Sequence, residues 1–178
     1  QLREAGYTAL QLSTLYSVSE LIAGGYDIAD IVVIETYALS RLYNATISIV
    51  DISFANRFTQ LEIARSGFSA AELKAADYAS STLFDAEFTI NDLSNALYSR
   101  GDIAIAGYTP LQLNTSNYSA VELQNANFTV EQLTGGDYSK EEIASAGYSA
   151  EDLREAEYSA EDLRLANYTI VDLSDGGY

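Results

Sequence analysis

The chain has 178 residues and carries 26 Asp and Glu against nine Lys and Arg, a net charge of −17. Cys, Met, Trp and His are absent. These absences remove disulfides, thiolate nucleophiles, imidazole bases and the usual ligands of zinc, iron and copper, and the negative balance excludes a grip on phosphate backbones.

The hydrophobic fraction of 48% is too high for a disordered acidic tail. The longest aliphatic run, Ile31 to Ile34, is far too short to span a bilayer. The chain opens at Gln1 with neither Met nor a leader pattern, so it reads as a processed or excerpted piece of something longer.

Residues 1–57 form loosely repeating units. Tyr7, Tyr16, Tyr26, Tyr37 and Ile47 stand at a position called zero, and Leu12, Leu21, Ile31, Leu42 and Ile52 follow at position five. The segment from Ile28 to Phe54 is richer in aliphatic residues than the repeat requires. Ile31, Val32, Val33, Ile34, Ile49, Val50 and Phe54 are candidates for a subunit contact, weighed evenly against a locally thicker core.

From Phe58 onward the rhythm is regular. Aromatic residues recur every ten residues to Tyr178, each followed at position five by Leu or Ile and at position eight by Ala, Ser or Gly. Position one is Ser or Thr except at Ala79, and position four is Asp, Glu or Gln except at Thr82. That pairing is the capping box: the hydroxyl accepts from the backbone N–H three residues on, and the later side chain reaches back. The aromatic and the Leu then form a hydrophobic staple. Position nine is mostly Gly, Asn or Asp, residues that tolerate the left-handed conformation ending a helix. Pro110 at position two falls on the first helical residue, where a missing N–H is harmless. Each decapeptide therefore predicts a helix of about seven residues, roughly 10 Å long. Such a helix is marginal alone, so neighbouring units must stack into one core. The prediction is an all-α solenoid of very short capped helices, a single array over 1–178 with irregular units in 1–57 and regular ones in 58–178.

Units such as Ala-Gly-Tyr-Ser-Ala-Glu-Asp-Leu-Arg-Glu (146–155) and Ser-Gly-Phe-Ser-Ala-Ala-Glu-Leu-Lys-Ala (66–75) resemble the decapeptide tandem-repeat proteins of the A-G-(F/Y)-S-x-x-(E/D)-L-(K/R)-x type. The resemblance covers 58–178 well and 1–57 loosely, and it implies no catalytic motif. A weaker resemblance, carried by Ala-Asn-Phe-Thr-Val (126–130) and Ala-Asn-Tyr-Thr-Ile (166–170), is to pentapeptide-repeat proteins, which implies a right-handed β-helix as the alternative fold. That alternative would turn Glu131, Glu141, Glu151 and Glu161 inward without partners, at several kcal/mol each (about 2–7 for even a neutral polar group).

Little chemistry stands out. Asn44, Asn114, Asn117, Asn127 and Asn167 open N-x-S/T sequons and are candidates for N-glycosylation. The carboxylates suit loose condensation of divalent cations more than a defined calcium loop. The tyrosine column reads as a core staple with its hydroxyls at the rim rather than a sugar-binding ladder. No catalytic residue, metal site or cofactor is expected. The expectation is a non-catalytic structural protein of an extracellular filament, sheath or surface appendage, self-associating head-to-tail or laterally. The alternative is an interaction scaffold whose face is built from positions two, six and seven.

Overall fold

The computed structural model describes residues 2–34, 38–45 and 47–178, apart from the side chain of Phe54. Among the described residues there are helices and turns and no strand, so the β-helix alternative is overturned. Glu131, Glu141, Glu151 and Glu161 are all exposed, at the second residue of their helices, where an acid suits the helix dipole.

The chain divides into two compact units, Gln1–Leu97 and Tyr98–Tyr178. The first holds α1 (Ala9–Leu12), α2 (Val18–Ala23), α3 (Ile28–Val32), α4 (Leu39–Asn44), α5 (Ile49–Phe54), α6 (Gln60–Ala64), α7 (Ala70–Ala75), α8 (Ser80–Asp85) and α9 (Ile90–Asn95). The second holds α10 (Arg100–Ala104), α11 (Pro110–Thr115), α12 (Ala120–Asn125), α13 (Val130–Thr134), α14 (Lys140–Ala144), α15 (Ala150–Glu155), α16 (Ala160–Leu165) and α17 (Ile170–Asp175). The helices run to six residues at most, shorter than the spacing predicts, because position eight already serves as the C-cap.

In most helices both ends are closed as the sequence suggests. In α7, Ser69 Oγ accepts from the Glu72 N–H while Glu72 Oε2 accepts from the Ser69 N–H. At the other end the Asp77 N–H donates to Lys74 O at 2.9 Å and the Tyr78 N–H to Leu73 O at 3.1 Å, the paired bonds of a Schellman motif. The residue between them is left-handed, with φ of 60° at Asp77. Position nine is left-handed throughout 58–178, even where it is Glu87, Leu97 or Glu157. The aromatic thus closes one helix through its backbone and enters the next through its ring. Ala38 and Ala79 are N-caps that supply no side-chain bond.

The strongest packing joins a helix to the second one along. α10 packs on α12, α12 on α14 and α14 on α16, while α11 packs on α13 and α15 on α17. In the first unit α1 packs on α3, α3 on α5, α6 on α8 and α7 on α9. Each unit is therefore a solenoid with two helices per coil, a number the decapeptide rhythm alone does not reveal. The position-five column, including Leu73, Leu83, Leu93, Leu113 and Leu123, is buried up to Leu163 and only partly buried at Leu173 in α17.

Position two is interior in half of the regular units. Ala70, Ser80, Ile90, Ala120, Val130 and Ala150 are buried, whereas Gln60, Arg100, Lys140, Ala160 and Ile170 stay exposed, so the expected variable face at positions two, six and seven keeps only part of its first column. The reason is the close approach of position eight from the next coil. A Cβ on Gly136 would lie 2.5 Å from Pro110 Cβ, and one on Gly176 would lie 2.5 Å from Ala150 Cβ.

Two substitutions test this account. Ala79→Ser supplies the missing cap on α8 and is expected to stabilise by about 1 kcal/mol, read as a higher urea midpoint at unchanged slope. Gly136→Val drives a branched side chain into Pro110 and is expected to cost about 1–3 kcal/mol in the same measurement.

Candidate functional site

The aromatic column is a structural ladder. Phe68, Tyr78, Tyr108, Tyr118, Tyr138 and Tyr158 are buried, which removes them from any sugar-binding surface. Tyr138 and Tyr148 donate their hydroxyls to Tyr118 O and Phe128 O at 2.6 Å, twenty residues back. Tyr178 does the same to Tyr158 O at 2.8 Å, and Tyr168 to Tyr148 O. In the first unit Tyr26 donates to Tyr7 O at 2.9 Å. Where it forms, this bond fixes the register of a coil on the coil before it; the phenylalanine rungs cannot make it, and the buried Tyr118 hydroxyl has no partner among the described residues.

Polar side chains at position six add to that register. Asn114 Nδ2 donates to Gly136 O at 2.9 Å, and Lys74 Nζ donates to Leu97 O. Both reach a carbonyl at the end of a helix in the following coil, where the dipole favours a donor.

Cations at position two do something the sequence reading missed. Arg100 lies with its guanidinium 3.8 Å from the centroid of the Tyr118 ring and donates through Nη2 to Glu122 Oε2 at 2.9 Å. Lys140 repeats the arrangement, 4.9 Å above the Tyr158 ring and 3.7 Å from Asp162. The signal was present as a correlation eighteen residues apart, a cation before a tyrosine that is itself followed by an acid. The Arg100 guanidinium holds the Glu122 carboxyl down at about 2, with the hydrogen bonds from Ser119 adding to the effect.

The candidate glycosylation sites separate by geometry. Asn117, Asn127 and Asn167 are exposed at left-handed turns, with φ of 60°, 63° and 67°. Asn44 is exposed at the end of α4, and Thr46 of its sequon lies outside the described residues. Asn114 is half-buried in α11 with its amide nitrogen engaged on Gly136 O, so a sugar there would cost that bond.

The candidate subunit contact is mostly interior. Ile31, Val32, Ile34 and Ile49 are buried in this chain's own core, and only Val33 and Val50 remain at the surface, each about half exposed. The extra aliphatic residues thicken the first unit. Arg57 supports that region, donating to Ile34 O at 2.8 Å and Val32 O at 3.2 Å. The Phe54 side chain lies outside the described residues. Among the described residues no three carboxylates gather as a metal site, and no helix is long and apolar enough to cross a membrane.

These features define a structural repeat protein of tandem short helices, whose polar groups serve stacking. Residues 111–178 match the family described as Decapeptide repeat region, and the series of short capped helices is consistent with a decapeptide-repeat protein. No curated protein and no solved structure matches the chain.

The tyrosine ladder sets an alkaline limit. Burial, with Glu142 and Asp152 nearby, pushes Tyr138 and Tyr148 up to about 12. Their folded values exceed the unfolded value of about 10, so the fold favours the protonated phenol. That stability is intact below about pH 10 and is lost as pH rises toward about 12. Thermal melts should show a fall in Tm between about pH 10 and about pH 12, smaller in Tyr148→Phe.

Proposed function

We propose that this chain is a non-catalytic building segment of an extracellular filament, sheath or surface appendage, assembled by stacking of repeat coils. The single observation that carries the reading is that one coil binds the next through the same contacts over and over: the buried Leu column, the position-eight approach and the tyrosine hydroxyl on a carbonyl twenty residues back. Repetition supplies length without a unique pocket. The position-two column buried at Ala120, Val130 and Ala150 is open at Ile170, which is 85% exposed. A further coil, of this or another copy, would cover Ile170 by the contacts used inside the array, and a non-closing contact of that type builds fibres.

The charge of −17 favours hydration and loosely held divalent cations at such a surface. Glycans on Asn117, Asn127 and Asn167 would add to it, because the turns that carry them are exposed.

Negative-stain electron microscopy of the concentrated chain is expected to show fibres that lengthen with concentration. Sedimentation is expected to show Ile170→Asp reducing assembly while leaving the helical spectrum unchanged. A chain that stays monomeric at every concentration, with no fibre in native material, overturns the proposal.

A further inference from the structure

The second unit has two rows of helices that differ in how their charges are used. The row of α10, α12, α14 and α16 holds the ion pairs Arg100–Glu122, Lys140–Asp162 and Arg164–Glu161. Its rings at Tyr118, Tyr138 and Tyr158 are 3–5% exposed. In the row of α11, α13, α15 and α17, Tyr108 is buried but Phe128, Tyr148 and Tyr168 are only partly buried, and Arg154 is the lone cation among its helices.

An open groove of about 1230 Å³ lies along this second row, with Phe128, Val130, Glu131, Tyr148, Asp152 and Glu155 in its walls. Its walls carry the ring and carboxylate that make the cation niche of the first row. Arg100 and Lys140 each sit eighteen residues before a tyrosine and meet the acid four residues after it, Glu122 and Asp162. Tyr148 and Asp152 present the same ring and carboxylate, but the residue eighteen before Tyr148 is Val130. Glu131, Glu155 and the neighbouring Glu157, also in the groove wall, are exposed carboxylates with no ion pair or side-chain hydrogen bond.

We propose that this groove docks a Lys- or Arg-bearing polypeptide segment, whose cation takes the place over Tyr148 and beside Asp152 that Arg100 and Lys140 fill in the other row. The chain itself shows what that niche holds. A cation over a ring gains from the ring quadrupole, and a carboxylate at its flank adds a charge-assisted bond. Glu131, Glu155 and Glu157 complete the complementarity by facing the remaining cations of an extended segment. The proposal does not depend on filament formation, since the groove lies wholly within residues 124–157.

The test is calorimetric titration of the full chain with a synthetic peptide of about twelve residues bearing Lys at every third position, in low salt, where exposed charge pairs are least screened. Binding is expected. Val130→Lys places the chain's own cation in the niche and should weaken the peptide about tenfold, a loss within reach of one ring-and-carboxylate contact. Ala160→Lys adds the same charge in the other row and should change affinity less than twofold. The double variant Glu131→Gln/Glu155→Gln should also weaken binding about tenfold, and it carries the test alone if Val130→Lys unfolds the unit. Glu141→Gln is the control for carboxylates elsewhere. No binding by the parent chain, or a loss in Glu141→Gln as large as in the double variant, overturns the proposal by reducing the effect to bulk charge.

Discussion

A helix of six residues cannot hold itself together, and every other feature of this chain answers that constraint. Isolated helices shorter than about twelve residues are marginal because the cost of nucleation is not recovered. One residue per decapeptide meets much of the need. The Tyr78 N–H closes the end of α7, and the buried Tyr78 side chain packs at the entrance to α8. At Tyr138 and Tyr148 the hydroxyl then bonds a carbonyl one full coil earlier. Helix termination, helix initiation and coil registry converge on the aromatic position. The spacing of ten follows from this. An extra residue would separate the C-cap from the N-cap that shares its aromatic, and a missing one would remove the left-handed turn between them.

How much of this is legible depends on the reach of each interaction. The capping boxes, the Leu column and the left-handed turns were readable because each acts within about five residues. Ser69 and Glu72, or Leu73 and Tyr78, announce themselves in a single unit. The number of helices per coil was not readable, because it lives in contacts about twenty residues apart that the decapeptide rhythm makes indistinguishable from ten or thirty. Position two was misread in part, for the same reason. Its residues vary in size and look like a free surface, but Pro110 and Ala150 are covered by Gly136 and Gly176 of the next coil. In residues 1–57 the aliphatic excess pointed to burial, which is correct for Ile31, Val32, Ile34 and Ile49, yet burial against this chain or against a partner leaves the same composition.

The charge of −17 is accommodated unevenly. Many of the acids are part of the fold: Glu72, Asp92, Glu142 and Asp172 accept from the N-cap residues of their own helices, and those bonds hold their carboxyls below the usual range. A second set is neutralised across coils, as Glu122 is by Arg100. A third set, including Glu131, Glu155 and Glu157, does neither, and its members are exposed along one row of the second unit. Stacking therefore does not account for that third set. The difference between rows is one of surface chemistry laid on an identical backbone.

The left-handed turns show how far the array overrides local preference. Glu87, Leu97 and Glu157 adopt φ of 70°, 65° and 62°, a region that costs a residue with a Cβ about 1–2 kcal/mol. Nothing about a leucine favours that conformation, and Leu97 gains no burial from it, being 79% exposed. It is held there because Phe88 and the rest of its unit fix the entry to α9, while the Leu97 N–H bond to Ser94 O and the Lys74 bond to its own carbonyl fix the exit. Once the interior columns and the two caps set the backbone, the outer positions can change identity at a cost of about 1–2 kcal/mol at most. A repeat of this construction keeps one architecture while its exposed columns diverge, so its specificity is to be sought in the differences between the rows rather than in the repeat itself.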